Sequence, residues 1–167
     1  FKEVFNFWEH AIRYCANAMW LSPTMASLIT RMSRDQNEIK WIRKNMKFVF
    51  LGTAPLSGKI SKQFREKFAV ECLESYGMTE ALIISTNIPS NEMKPKSVGK
   101  PLPSVKINLE KKNGNNASVN KIFIKSKYMF KGYLFENQNI SQQNDWFPSG
   151  DLGFLDDDDN LFILGRE

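Results

Sequence analysis

Histidine and cysteine are almost absent from this chain of 167 residues, which contains one histidine and two cysteines. With His10 alone, a mechanism that needs two histidines or a histidine-rich metal site is excluded, and no Cys/His spacing suits zinc. Cys15 and Cys72 lie far apart in apolar surroundings, which favours a reduced, cytoplasmic protein over a secreted one. No apolar run approaches the ~20 residues of a membrane-spanning helix, so no membrane span is predicted.

Blocks of five or six lysines and arginines are also missing. The net charge is +5 and the isoelectric point is about 9.2, which invites a nucleic-acid or RNA-binding hypothesis. The lysines and arginines are scattered, however, so a solvated basic surface is favoured and no nucleic-acid partner is predicted. The 42% hydrophobic and 25% charged residues are typical of a globular protein, with length enough for one domain or two small subdomains.

The first half of the sequence predicts parallel β–α–β units. Apolar residues spaced three and four apart indicate helices, and short apolar runs that end at Ser, Pro or Gly indicate strands. The helices are predicted at residues 4–15, 22–32, 38–45 and 57–68, and the strands at residues 18–21, 48–51 and 70–75. Strands that alternate with helices form a parallel sheet with right-handed crossovers.

The pattern changes after about residue 89, where prolines interrupt the chain and helical periodicity is lost. Short strands are predicted at residues 105–109 and 121–125, and a hairpin at residues 152–155 and 161–164. We therefore predict an α/β protein, with a parallel α/β subdomain in residues 1–95 and a small, mainly antiparallel β subdomain in residues 96–167.

Two turns follow neighbouring strands of the predicted parallel sheet, at residues 51–55 and 75–80. Ligands bind outside the carboxyl ends of such strands, and the residue types suit a nucleotide. Gly52, Ala54 and Gly77 are small residues that a flat ring could approach closely. Tyr76 offers an aromatic ring, Thr79 a hydroxyl and Glu80 a carboxylate. The alternative is that both are ordinary strand-to-helix turns, with Thr79 and Glu80 starting a helix.

A third segment, residues 144–153, precedes the closing hairpin. Asp151 could accept hydrogen bonds from a ribose diol, and Arg166 offers a fork of donors, although a turn residue and a surface cation are the alternatives. The acids at residues 156–159 could suggest Ca²⁺, but they lack the ligand spacing of a calcium loop, so a polar hairpin tip is favoured.

The order of five segments resembles the AMP-binding superfamily of adenylate-forming enzymes, which includes acyl-CoA synthetases, luciferases and peptide-synthetase adenylation domains. The segments are residues 51–57 (LGTAPLS), 75–80 (SYGMTE), 97–101 (SVGKP), 146–153 (WFPSGDLG) and 165–166 (GR). The sequences GTAP and YGMTE resemble acyl-CoA synthetases more than peptide-synthetase domains. Thr53 stands where Ala or Gly is usual, and Pro148-Ser149 stands where an Arg-Thr pair is common.

The resemblance implies that a partial three-layer α/β subdomain is followed by a distorted, barrel-like β subdomain. It also implies nucleotide-binding roles for two walls of residues around the adenine: Gly52, Thr53, Ala54 and Pro55 on one side, and Glu74, Ser75, Tyr76, Gly77 and Met78 on the other. Thr79 would contact the α-phosphate, and Glu80 would hold Mg²⁺. Asp151 would bind the ribose with help from Arg166, while Ile83 and Ile84, with Gly77 beside them, would approach the acyl pocket.

The activity implied by the resemblance is that of an ATP-dependent carboxylate–CoA ligase, with ATP, Mg²⁺, CoA and a small carboxylic acid as cofactors and substrates. The family's phosphate loop is expected before Phe1, its hinge just beyond Arg166, and the domain with the catalytic lysine after that. We therefore expect this chain to be inactive by itself. A non-catalytic nucleotide-binding or scaffold module is the alternative.

Overall fold

The computed structural model describes residues 6–54, 56–89, 93–111, 119–135, 138–141 and 146–167. The chain divides into two compact units: the first unit contains Phe1–Ser75 and Ile88–Glu92, and the second contains Tyr76–Asn87 and Met93–Glu167. Strand β3 (Glu71–Met78) runs from the first unit into the second. Among the residues described, no helix is long and apolar enough to span a membrane.

The first unit is built from parallel strands and helices in alternation. In chain order it contains α1 (Phe7–Arg13), β1 (Ala18–Leu21), α2 (Pro23–Met32), α3 (Gln36–Asn45), β2 (Phe48–Leu51), α4 (Gly58–Phe68) and the start of β3. Strand β2 pairs in parallel with β1 and with β3. The predicted β–α–β arrangement is confirmed; Val4, which belonged to the predicted first helix, lies outside the described residues.

Helices α2 and α3 begin where a side chain satisfies a free backbone N–H group. The Ser22 hydroxyl accepts a hydrogen bond from the amide of Met25 at 3.2 Å, with Pro23 at the first helical position of α2. The Asp35 carboxylate accepts one from the amide of Asn37 at 2.7 Å at the start of α3. Buried apolar faces then pack these helices against the strands. The core of this unit includes Trp8, Ile29, Ile42, Val49, Leu51, Phe64 and Phe68.

The second unit is mainly antiparallel. After the end of β3 it contains β4 (Leu82–Thr86), β5 (Lys100–Pro101), β6 (Val105–Lys111), β7 (Asn120–Ser126), β8 (Gly132–Phe135), β9 (Gln138–Ser141), β10 (Phe147–Leu155) and β11 (Leu161–Arg166). Four of these form a sheet in the order β11-β10-β7-β6, and β8 pairs with β9. The predicted fold class, a parallel α/β part followed by a mainly antiparallel β part, is confirmed.

The turn predicted to start at residue 75 lies further along the chain. Strand β3 continues through Tyr76 and Gly77 to Met78, and the turn follows at Thr79 and Glu80. A Cβ atom on Gly77 would lie 2.3 Å from the carbonyl oxygen of Leu82, so only glycine permits this close approach of the two strands. The glycine that suggests a turn in the sequence therefore belongs to a strand.

The acidic segment forms the tip of the β10–β11 hairpin. The Lys94 ammonium donates to Asp156 at 2.7 Å and to Asp158 at 2.5 Å. The amide of Asn160 donates to the Asp156 carboxylate at 2.9 Å. The hydrogen bond from Lys94 is the main cause that holds the pKa of Asp156 well below its ordinary value. The hairpin-tip interpretation is confirmed, and Lys94 balances part of the charge.

Helix α4 ends on a residue with a strained backbone. Ala69 has φ of 55° and ψ of 37°, the left-handed region that glycine occupies at little cost. The Arg43 guanidinium donates to the carbonyl of Lys67 at 3.1 Å from Nε and 2.9 Å from Nη2, which satisfies one of the free carbonyls at the end of this helix.

Replacing Ala69 with glycine is expected to raise the free energy of unfolding by about 1 kcal/mol, because the left-handed conformation then carries no Cβ strain. The control is Gln63→Gly, on the exposed face of α4. It is expected to lower the free energy of unfolding by about 0.5 kcal/mol, because glycine loses more conformational entropy than glutamine when the helix forms. Urea unfolding measures both changes. A loss of stability in Ala69→Gly would contradict the strain described.

Candidate functional site

Gly52 follows β2 in the first unit and is enclosed by two side chains. A Cβ atom there would lie 2.9 Å from the Ser75 hydroxyl oxygen and 3.0 Å from the Trp20 ring. The Ser75 hydroxyl donates a long hydrogen bond, 3.4 Å, to the carbonyl of Leu51. Any side chain at Gly52 would therefore displace Trp20 or Ser75.

The residue after Gly52 has an unusual backbone conformation. Thr53 is exposed and has φ of 73°, a value that is rare for a β-branched residue. Ala54 is also exposed, so both residues present backbone and small side chains to the surface of this unit. Pro55, which the resemblance places beside them, lies outside the described residues.

Glu74 is an acidic residue of the first unit whose pKa is raised. It lies on β3 opposite Leu51 of β2 and is half-buried. Burial raises its pKa from 4.5 to about 7. At neutral pH its carboxyl is therefore close to half protonated, and it can donate as well as accept a hydrogen bond.

In the second unit, three predicted site residues meet at one carboxylate. The Tyr76 hydroxyl donates to Oδ2 of Asp151 at 2.5 Å, and Nε of Arg166 lies 3.2 Å from Oδ1. The Asp151 side chain is only 13% exposed. Burial, with the hydrogen bond to Asp151, raises the pKa of Tyr76 far above its ordinary value, so its hydroxyl remains a donor.

Asp151 is part of strand β10, which settles the alternative that it is a turn residue. It pairs across the hairpin with Arg166 of β11, so the cation lies opposite the carboxylate in register. The register shifts along β10 between Pro148 and Leu152 and again between Leu152 and Gly153. Such irregularities change the direction of nearby side chains, and the first of these shifts spans the position of Asp151.

Ser149 holds the backbone of Asp151, a role that the sequence analysis missed. It is buried, and its hydroxyl donates to the carbonyl of Ile122 on β7 at 2.8 Å. The same oxygen accepts from the amide of Asp151 at 3.0 Å. Nη2 of Arg166 donates to the Ser149 carbonyl at 3.4 Å. One small hydroxyl therefore fixes both the strand that carries Asp151 and its neighbour.

Thr79 and Glu80 lie in the turn that joins β3 to β4, so the alternative that they begin a helix is wrong. Thr79 is exposed. Glu80 accepts a hydrogen bond from the Tyr133 hydroxyl through Oε1 at 2.9 Å. In the part of the chain that the structure describes, no group of three or more His, Cys, Asp or Glu could hold a metal ion. Any metal at Glu80 would need ligands from elsewhere.

The two isoleucines expected at the acyl pocket point in opposite directions on β4. Ile83 is 40% exposed, whereas Ile84 has no exposed surface and packs in the core of the second unit. Adjacent strand residues alternate between faces, so Ile83 lies on the exposed face of β4 and Ile84 on the buried face. Met78 packs against the same core.

Comparison with known proteins shows what kind of protein carries these features. The family model described as AMP-binding enzyme matches residues 2–134. This chain belongs to the AMP-binding enzyme family. The proposed site residues Asp151 and Arg166 lie beyond the matched residues.

Two curated relatives are CoA ligases. Over 170 residues the chain is 30% identical to oxalate–CoA ligase of Arabidopsis thaliana, which covers 96% of this chain and 32% of the relative. Over 151 residues it is 34% identical to 2-succinylbenzoate–CoA ligase of Bacillus licheniformis, covering 86% and 31%. The chain therefore spans about a third of the length of the curated relatives it matches.

Solved structures of CoA ligases share the fold. A malonyl-CoA ligase in a ternary product complex with methylmalonyl-CoA and AMP has a TM-score of 0.80 at 25% identity, over 96% of this chain and 36% of that one. The O-succinylbenzoate coenzyme A synthetase of Bacillus subtilis in complex with AMP has a TM-score of 0.75 at 29% identity, over 98% and 34%.

The hydrogen bonds around Asp151 leave acceptor positions that fit the ribose hydroxyls of such a nucleotide. A carboxylate has about four acceptor positions, and Tyr76 and Arg166 use one on each oxygen. Acceptor positions remain for a diol. The single carboxylate of Glu80 suits Mg²⁺, which is commonly bound by one or two carboxylates together with substrate phosphates.

The half-buried Glu74 predicts a pH-dependent stability. Between its ordinary pKa of 4.5 and its raised pKa of about 7, the folded chain binds more protons than the unfolded chain. The free energy of unfolding therefore falls as pH rises through this interval and levels off above it. Allowing for partial exposure, the buried Glu74 carboxylate lowers the free energy of unfolding above this interval by about 1 kcal/mol. Glu74→Gln is expected to remove this loss of stability.

Urea unfolding at several pH values between 4 and 8 measures this difference. The stability gain of Glu74→Gln over the original chain should grow with pH and then become constant. Two parallel curves would contradict the raised pKa of Glu74.

Replacing Ser149 with alanine is expected to lower the free energy of unfolding by about 1–3 kcal/mol, because two buried backbone groups lose their partner. Ser149→Thr keeps the hydroxyl and is the matched control, with a smaller expected loss. Chemical denaturation compares the two variants. Equal losses would show that space around Ser149, rather than its hydroxyl, sets the effect.

Proposed function

We propose that the full-length protein carrying this chain is an AMP-forming carboxylate–CoA ligase. A carboxylate oxygen attacks the α-phosphorus of ATP, the bond to the β-phosphate bridging oxygen breaks, and acyl-adenylate and pyrophosphate form. The CoA thiol then attacks the acyl carbon, loses its proton, and AMP leaves. Membership of the AMP-binding family and the CoA-ligase relatives support this proposal.

The observation that carries the proposal is the convergence of Tyr76, Asp151 and Arg166 in the second unit. Here Asp151 is proposed to accept hydrogen bonds from the ribose hydroxyls, while Arg166 and Tyr76 orient the carboxylate. A fixed carboxylate selects a nucleoside by position, because the protein has already met the cost of ordering it.

The remaining nucleotide roles are proposed for small and polar residues, taken unit by unit. In the first unit the proposed adenine-side residues are Gly52, Thr53, Ala54, Pro55, Glu74 and Ser75, and in the second unit they are Tyr76, Gly77 and Met78. Thr79 is proposed to contact the α-phosphate, and the residue is exposed in its turn. Glu80 would hold Mg²⁺, which neutralises phosphate charge when bound.

The acid is proposed to be a small-molecule carboxylate held partly against Ile83. Its exposed aliphatic side chain offers an apolar surface, and Ile84 supports it from the core. The nature of the acid depends on further residues, so a panel of acids is needed to identify it.

The exposed Cys15 and the half-buried Cys72, both free thiols, are consistent with a cytoplasmic protein.

ATP–pyrophosphate exchange by the full-length protein, measured across a panel of carboxylic acids, tests the proposal. At least one acid is expected to support exchange. Asp151→Asn is expected to lower kcat/KM for ATP about tenfold to 100-fold, because the amide loses charge-assisted acceptance of the diol. The control is Asp157→Asn, at the exposed hairpin tip.

The isolated 167-residue chain is expected to give no exchange, because the family resemblance places the phosphate loop and the catalytic lysine elsewhere. ATP binding by the full-length protein without exchange for any acid would favour the non-catalytic module. Equal kcat/KM values in the two aspartate variants would contradict the role of Asp151.

A further inference from the structure

Tyr133, in a segment that the sequence motifs do not include, lies against the carboxylate proposed to hold Mg²⁺. Its hydroxyl donates to Oε1 of Glu80 at 2.9 Å, across 53 positions of sequence, and both residues lie in the second unit. From this contact we infer that Tyr133 is a positioning residue for Glu80. The inference rests on the proposed function, because it concerns the metal role of Glu80.

The tyrosine ring is itself held in place. Phe130 packs edge-on against Tyr133, with ring centroids 4.7 Å apart at an angle of 70°. Phe130 in turn packs edge-on against Phe147 at the start of β10, at 5.5 Å. Such aromatic pairs have preferred geometries, so the Tyr133 hydroxyl has a defined direction although its side chain is 46% exposed.

Glu80 is fixed at its backbone by the same aromatic group. The amide of Phe130 donates to the Glu80 carbonyl at 2.8 Å. The segment containing Phe130 and Tyr133 therefore binds the main chain of Glu80 through one residue and its carboxylate through the other. Together these two hydrogen bonds limit both the position and the rotamer of Glu80.

A glutamate with three free side-chain torsions loses rotamer freedom when it binds a metal ion, and a hydrogen bond made beforehand reduces that loss. The Tyr133 hydroxyl occupies one acceptor position of Oε1 and leaves Oε2 for the metal. Partners that orient a metal ligand in this way commonly affect metal affinity strongly. Because this contact is exposed, its effect is expected at the lower end of that range.

The test measures ATP affinity of the full-length protein by calorimetry, with Mg²⁺ and again with excess EDTA. Tyr133→Phe keeps the ring against Phe130 and removes only the hydroxyl. It is expected to reduce the gain in ATP affinity due to Mg²⁺ about threefold to tenfold, and to leave affinity in EDTA unchanged. Tyr128→Phe, at an exposed tyrosine of the same unit, is the control and should change neither value.

A double-mutant cycle separates positioning from a general structural effect. If Tyr133 acts through Glu80, Tyr133→Phe has no further effect on Mg²⁺ dependence in a Glu80→Gln background. Equal losses with Mg²⁺ and with EDTA, additive losses in the double variant, or an unchanged Mg²⁺ dependence would each overturn the inference while leaving the ligase proposal in place. Failure of the original protein to bind ATP at all would overturn both.

Discussion

The burial of the Asp151 carboxylate is the constraint on which the candidate site of the second unit depends. A carboxylate withdrawn from water is costly unless donors surround it, and here its two donors come from separate parts of the sequence. Tyr76 lies on β3 and Arg166 on β11, while Asp151 itself lies on β10. The sheet must therefore form before the carboxylate is satisfied, which makes the site a product of the fold rather than of one motif.

Much of this fold could be predicted from sequence because its signals are local. The apolar run at Phe48–Leu51 and the capping Ser22 require only their neighbours, and the structure has both as expected. The end of β3 was misplaced because Gly77 is a turn residue by local preference. Its actual conformation follows from the backbone of Leu82, which only the folded hairpin brings within reach. The apolar run that forms β4 was present in the sequence, and the misplaced turn obscured it.

The candidate site shows the same division. Asp151 and Arg166 could be found because the resemblance identifies their segments, and Tyr76 because an aromatic residue beside a glycine suits a nucleotide. Ser149 was noted only as part of a pair that departs from the common Arg-Thr, since its two hydrogen bonds depend on β7 lying beside β10. Tyr133 carries no local signal at all. Residues that hold the binding residues in place are recognisable only when distant strands are paired.

The loop after β2 shows how packing and binding can require the same backbone. Gly52 is enclosed by Trp20 and Ser75, which fixes the direction in which the chain leaves the strand. Thr53 then adopts a positive φ that costs a β-branched residue about 1–2 kcal/mol. A glycine at that position would relieve this strain, as it would at Ala69. Packing around Gly52 and the positive φ of Thr53 together set the shape of this loop, and the proposed adenine contact depends on that shape.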